Sequence, residues 1–139
     1  MLKCVDTKDV LSMSSHIDVL LVEDEPAIVD FMERMLQRAG YSVRAVMDGA
    51  AALAALSSDA PAVMILDLAL PRVSGWAVLE HLRRAQSALP VIILTANPHA
   101  VTRLASYDIQ QFLLKPFRMD DLLDAVASSI FSKAKNLGS

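Results

Sequence analysis

At 139 residues, with 54 % apolar and 21 % charged side chains, the chain has the size and apolar content of one globular domain, and its composition excludes disorder. A formal net charge of −3 with no basic stripe argues against direct nucleic-acid binding, so any DNA-reading function would belong to another domain or protein. The single cysteine, Cys4, excludes an intrachain disulfide and a thiolate metal site, and fits a reducing cytoplasm.

The chain begins with a polar, unpatterned extension over 1–15. Lys3, Asp6, Lys8 and Asp9 break the apolar core that a signal peptide needs, and no later run approaches the roughly 18 apolar residues of a membrane span. Export and membrane insertion are therefore unsupported. The domain itself is expected over 16–131, with a short tail over 132–139.

Within it the first strand-length run is Ile17–Val22, "IDVLLV". Pro26 then suits a first helical turn, Ile28, Met32, Met35 and Leu36 form an apolar stripe, and Gly40 supplies a stop. Tyr41–Val46, "YSVRAV", is the one run that alternates polar and apolar residues, which marks an edge strand. Asp48 can cap a second helix bearing Leu53 and Leu56. The nearly continuous run Ala62–Leu66 follows, then Ser74 as cap of a third helix with Val78, Leu79 and Leu82. Val91–Leu94 is the fourth run, and Pro98 is expected to open a fourth helix carrying Val101 and Leu104. Phe112–Leu114 is the last run. Asp120 and Asp121 suit the positive end of a fifth helix with Leu122, Leu123, Val126 and Ile130 inward.

Strand followed by helix, five times over, predicts an α/β fold with a doubly wound parallel sheet, whose ligand site lies beyond the carboxyl ends of the strands. The residues directly after each run are therefore informative. "LLV" leads to Glu23, Asp24 and Glu25, "MIL" to Asp67, "IIL" to Thr95 and "FLL" to Lys115. Any one of these is unremarkable at a strand end, but together they bring carboxylates, a hydroxyl and an ammonium to one rim. Asp67, which ends five apolar residues, then sits at the mouth of the sheet in company.

Two carboxylates 4 Å apart repel by roughly 4 kcal/mol at an effective dielectric near 20, so the cluster needs a cation. Oxygen ligands without nearby His or Cys favour Mg2+. Lys115 adds a fixed positive charge and Thr95 a small donor, an arrangement suited to holding a phosphoryl group on a carboxylate oxygen, with Asp67 the natural nucleophile. His16, His81 and His99 are scattered and read as surface residues. Trp76, Met32, Met35 and Met64 read as packing residues, and Arg72, Arg83 and Arg84 as a solvated face.

The motifs "VEDEP", "LDLALPRVSG", "ILTA" and "KPF", in this order across nearly the whole domain, resemble the receiver domain of two-component response regulators. That resemblance implies a flavodoxin-like (βα)5 sandwich with strand order 2-1-3-4-5. It implies that Asp67 accepts a phosphoryl group from a sensor histidine kinase or phosphotransfer protein, and that Mg2+ is held by Asp24, Asp67 and the backbone carbonyl of Ala69, with Glu23 acting through a water. It also implies that Thr95 and Lys115 contact the phosphoryl oxygens, that Thr95 and Phe112 switch, that Lys115–Pro116 is cis, and that the protein is a regulatory phosphoacceptor assisting its own phosphorylation and dephosphorylation. The signal would pass to a protein partner or an effector domain, and a homodimer is compatible with the resemblance.

Three departures stand out. Ala69, two residues after Asp67, has no side chain to orient water. Phe112 lacks the hydroxyl of the commoner tyrosine. The stretch from Thr95 to Lys115 is about two residues shorter than usual, so the fourth helix is expected to be short, shifted or frayed. Two rivals carry distinct signatures: a phosphorylation-independent interaction module would have lost an acid, the threonine or the lysine, and an aspartyl-phosphate phosphohydrolase would need a second aspartate at position 69.

Overall fold

The computed structural model describes residues 17–109 and 111–138. The extension over 1–15 and His16, the expected first residue of the domain, lie outside the described residues. Five parallel strands, β1 (Asp18–Val22), β2 (Ser42–Val46), β3 (Val63–Asp67), β4 (Val91–Thr95) and β5 (Gln111–Leu114), form one sheet in the order β2-β1-β3-β4-β5. They alternate with α1 (Pro26–Arg38), α2 (Gly49–Ser58), α3 (Gly75–Arg84), α4 (Ala100–Leu104) and, at the end, α5 (Met119–Gly138). This is the expected flavodoxin-like arrangement, and the alternating run is an edge strand.

The apolar runs are continuous because both faces of the sheet are covered. Leu20, Val22, Met64, Leu66 and Ile93 point to one face, where they meet Ala52 of α2, Val78 and Leu79 of α3 and Leu104 of α4. Their neighbours Val19, Leu21, Val63, Ile65, Ile92 and Leu94 point to the other, under Met32 and Leu36 of α1 and Leu122 and Val126 of α5. Each of the Val, Leu, Ile and Met side chains among them, removed from water, stabilises the fold by about 1.5–3 kcal/mol.

Local signals set the helix ends. Pro26 opens α1, and Gly40 closes it at φ +101, with the Tyr41 N–H donating back to the Leu36 carbonyl at 3.1 Å. Asp48 accepts the Ala51 N–H at 2.7 Å and Ser74 the Ala77 N–H at 3.2 Å, capping α2 and α3 as expected.

Several boundaries differ from the sequence expectation. Strands β3 and β4 run one residue further, because Asp67 pairs with Leu94 and Thr95 with Leu114 in the ladder, so these two polar residues are the strands' last members. Helix α4 starts at Ala100 instead of Pro98: Asn97 accepts the His99 N–H on its side chain (3.0 Å) and the Ala100 N–H on its carbonyl (3.1 Å), which spends Pro98 and His99 in a turn. The helix is five residues long, as short as the shortened segment suggested, and a 3-10 turn, Ala105–Tyr107, extends it to Asp108 in the left-handed region (φ 63). Helical backbone also continues to Gly138 through "SKAKNLG", a stretch with Ala, Lys and Leu as helix formers, where a tail is expected from the sequence. Among the described residues no helix is long and apolar enough to cross a membrane.

Gly75 fixes the approach of α3 to the end of β3. A Cβ there would lie 2.6 Å from the Leu68 Cα and 2.7 Å from the Asp67 carbonyl oxygen. Gly75→Ala is expected to destabilise the protein by about 1.5 kcal/mol, seen as a lower denaturation midpoint at constant slope. An unchanged midpoint would mean that this turn relaxes without cost.

Candidate functional site

The three strands β1, β3 and β4 end side by side, and Lys115 directly follows β5 at the same edge of the sheet. Glu23 directly follows β1, held there by its N–H on the Val46 carbonyl at 3.1 Å. Its Oε2 accepts the N–H groups of Asp24 (3.2 Å) and Glu25 (3.3 Å), and the residue is 1 % exposed. Asp67, at the end of β3, is 3 % exposed and accepts the Ala69 N–H on Oδ1 at 2.9 Å. Two buried carboxylates therefore face each other at the rim.

Lys115 answers both. Its Nζ donates to Asp67 Oδ2 at 2.8 Å and to Glu23 Oε1 at 3.2 Å. The backbone beneath is also pinned, because the Lys115 N–H donates to the Thr95 carbonyl at 2.8 Å, and the Lys115–Pro116 peptide is cis. Burial, followed by the charge of Asp67, pushes the Glu23 carboxyl above the ordinary carboxylate range despite the opposing pull of Lys115. For Lys115, burial alone would lower the ammonium, but its hydrogen bond and charge pairing with Asp67, and then with Glu23, hold it above the usual lysine value.

Carboxylate oxygens of Glu23, Asp24 and Asp67 all lie within 4.8 Å of one another. Asp24 is the most accessible of the three. The donor set contains no His or Cys, and one lysine cannot neutralise three carboxylates. The residues present therefore fit a hard divalent cation with an open, water-facing side, which is the chemistry of Mg2+. Glu25, in the same acidic run, is exposed at the start of α1 and stands outside the cluster.

The structure brings the other sequence candidates to the same rim. Thr95 is 5 % exposed, and its Oγ1 accepts the Asn97 N–H at 3.0 Å. Ala69 is exposed beside Asp67, and Phe112 is half-buried on β5, paired in register with Ile93. Met32 and Met64 are buried, Met35 is half-buried, and His81 and His99 are exposed. Arg83 and Arg84 both pair with Glu80, and Arg72 reaches Asp48 at 3.8 Å, which leaves them as a solvated surface.

Half-buried Trp76 meets Tyr107 with ring centroids 5.8 Å apart. The Arg103 guanidinium lies 4.0 Å over the Trp76 ring, and that of Arg83 lies 4.9 Å over Tyr107. Two cations thus bracket an aromatic pair that ties the short α4 segment to α3.

The model of the response regulator receiver domain family matches residues 19–127, and the chain belongs to that family. Response regulator MprA of Mycobacterium avium (strain 104) is 36 % identical over 107 residues, which are 76 % of this chain and 47 % of MprA. MprA of Mycobacterium tuberculosis (strain ATCC 25618 / H37Rv) is 36 % identical over the same length, 46 % of that protein. The chain spans about half the length of these curated relatives. Among solved structures, the signal receiver domain of a putative LuxO repressor protein from Vibrio parahaemolyticus is 28 % identical with a TM-score of 0.81, covering 88 % of this chain and 96 % of that one. The response regulator TrrA from Thermotoga maritima, solved in complex with Mg2+ and BeF, is 30 % identical with a TM-score of 0.74, covering 81 % and 97 %. The fold is that of a receiver domain, a family of regulatory phosphoacceptors in two-component signalling.

Proposed function

We propose that this chain is switched by transfer of a phosphoryl group from the phosphohistidine of a sensor histidine kinase or phosphotransfer protein to Asp67 in the cytoplasm. The observation that carries this reading is Lys115 bridging Asp67 and Glu23 in a three-carboxylate cluster at the carboxyl rim. Mg2+, held by Asp24, Asp67 and the Ala69 carbonyl with Glu23 behind a water, would supply positive charge against the phosphoryl oxygens.

The chain's own residues do the rest. Asp67, its Oδ1 held by the Ala69 N–H, presents an oxygen to phosphorus; the bond from phosphorus to the donor imidazole breaks as the aspartyl phosphate forms. Lys115 pairs with a phosphoryl oxygen, and the Thr95 hydroxyl donates to another. The adduct adds about −1.5 to −2 charge and three acceptor oxygens, which draws Thr95 and Lys115 inward and lets Phe112 repack into the space behind Thr95. A protein partner or effector domain that binds one packing better reads the change. Return to the resting state is hydrolysis of the same bond at the same site.

The rivals lack support in particular residues. Every acid, the threonine and the lysine are present, unlike in a module that has abandoned phosphorylation, and Ala69 stands where a phosphohydrolase needs its second aspartate. The test is intact mass after incubation with Mg2+ and acetyl phosphate or phosphoramidate. One added phosphoryl group is expected on the wild type, with none on Asp67→Ala and none in EDTA. A wild type that takes neither a phosphoryl group nor beryllofluoride would favour the phosphorylation-independent module.

A further inference from the structure

Beside Asp67, an open cleft of about 610 Å3 separates the turn after β3 from the turn after β4. Its walls include Ala69, Trp76, Thr95, Asn97, His99 and Arg103. Ala69 and Thr95 belong to the phosphoacceptor rim, so the cleft opens directly onto that site. Lys115 occupies Asp67 Oδ2 and is not among the wall residues, whereas Oδ1 is turned to the Ala69 N–H on the cleft wall.

The charge of this cleft is one-sided. No acidic side chain lines it, and among the described residues no carboxylate pairs with Arg103. The guanidinium is held by its face, 4.0 Å over the Trp76 ring, and Trp76 is in turn supported by Tyr107. A guanidinium stacked in this way keeps its in-plane N–H groups for a planar, bidentate acceptor, and its orientation is set before any ligand arrives. Ala69 contributes a methyl group, so no side chain at that position fills the space. The Asn97 side-chain oxygen already accepts the His99 N–H.

We infer that this cleft is a leaving-group subsite in which Arg103, held on Trp76, receives the carboxylate released when an acyl phosphate donates its phosphoryl group to Asp67. The inference rests on Asp67 being the phosphoacceptor. In this step an Asp67 oxygen forms the new bond to phosphorus. The donor's bond between phosphorus and its acyl oxygen breaks, and the electron pair leaves on the carboxylate without need of a proton. Arg103 meets negative charge as it develops there. With phosphoramidate the bond from phosphorus to the protonated nitrogen breaks, and neutral ammonia leaves, giving Arg103 no anion to hold.

The experiment is the ratio of phosphorylation rate constants with acetyl phosphate and with phosphoramidate, read by intact mass in excess Mg2+. Arg103→Gln is expected to slow acetyl phosphate about fivefold while leaving phosphoramidate nearly unchanged, the size of one exposed charge interaction. Arg103→Lys should retain most of the wild-type ratio, and Arg103→Glu should lower it beyond Arg103→Gln. A variant that merely loosens α4 would slow both donors alike. Equal changes with both donors, or no change in the ratio, would overturn the subsite while continued labelling by phosphoramidate left Asp67 as acceptor. A wild type labelled by neither donor would overturn the subsite, and one that also fails to take beryllofluoride would overturn the acceptor with it.

Discussion

Lys115→Met is expected to destabilise the metal-free protein by about 3 kcal/mol at pH 7.5, the cost of removing one partner from a buried charge cluster. Methionine keeps much of the apolar stem, so the loss isolates the ammonium that bridges Asp67 at 2.8 Å and Glu23 at 3.2 Å. The pH dependence follows from Glu23, whose carboxyl burial and the Asp67 charge already raise, and which Lys115 pulls down. Without Lys115 its folded value rises further. A raised carboxyl favours folding fully below its unfolded value and loses that contribution as pH climbs through the folded value. The deficit of the variant should therefore be greatest at neutral and alkaline pH and should shrink towards pH 5. Urea denaturation in EDTA at several pH values measures this directly. A deficit constant from pH 5 to pH 8 would assign the loss to packing of the stem. Added Mg2+ should recover part of the stability by binding the folded state alone.

That Lys115 could be picked out from sequence follows from how parallel sheets are built. Strands buried on both faces read as short apolar runs, and the first polar residue after each run must lie near the sheet's carboxyl edge. Glu23, Asp67, Thr95 and Lys115 were legible for this reason, as were Gly40, Asp48 and Ser74, whose roles are local to one helix end. Features that depend on two distant segments, or on competing hydrogen bonds within one turn, were not. Asp67 and Thr95 belong to their strands because Leu94 and Leu114 pair with them across the sheet, which apolar patterning cannot reveal. Pro98 has the chemistry of a first helical turn, yet Asn97 captures the next two N–H groups and delays α4 to Ala100. The stack of Arg103, Trp76, Tyr107 and Arg83 joins residues of α3 to residues of α4 and its 3-10 extension. Read singly, each of the four is an ordinary surface or packing residue. Glu25 errs in the other direction, since its place beside Glu23 and Asp24 gave it the same pattern while the backbone turns it to solvent.

Glu23→Gln is expected to move stability and metal affinity in opposite directions. In EDTA at pH 7.5 the variant should be more stable by about 1 kcal/mol, because a charge penalised by burial and by Asp67 is removed while the Lys115–Asp67 pair stays. The sign sets the window: the gain is present where wild-type Glu23 is ionised and fades as pH falls below its raised folded value, where the wild-type side chain is itself neutral. Mg2+ affinity, titrated through Trp76 fluorescence or calorimetry, should fall by about thirtyfold, the effect of losing a charged group that orients a metal's inner ligands. Reduced stability would show that the hydrogen bonds from Asp24, Glu25 and Lys115 to the Glu23 carboxylate outweigh its desolvation. Unchanged Mg2+ affinity would remove Glu23 from the metal site altogether. If both shifts appear, Glu23 is a group whose charge costs stability in the resting fold and is compensated only when a cation binds. The same excess negative charge that weakens the metal-free rim is then what draws the cation to Asp67 before the phosphoryl group arrives.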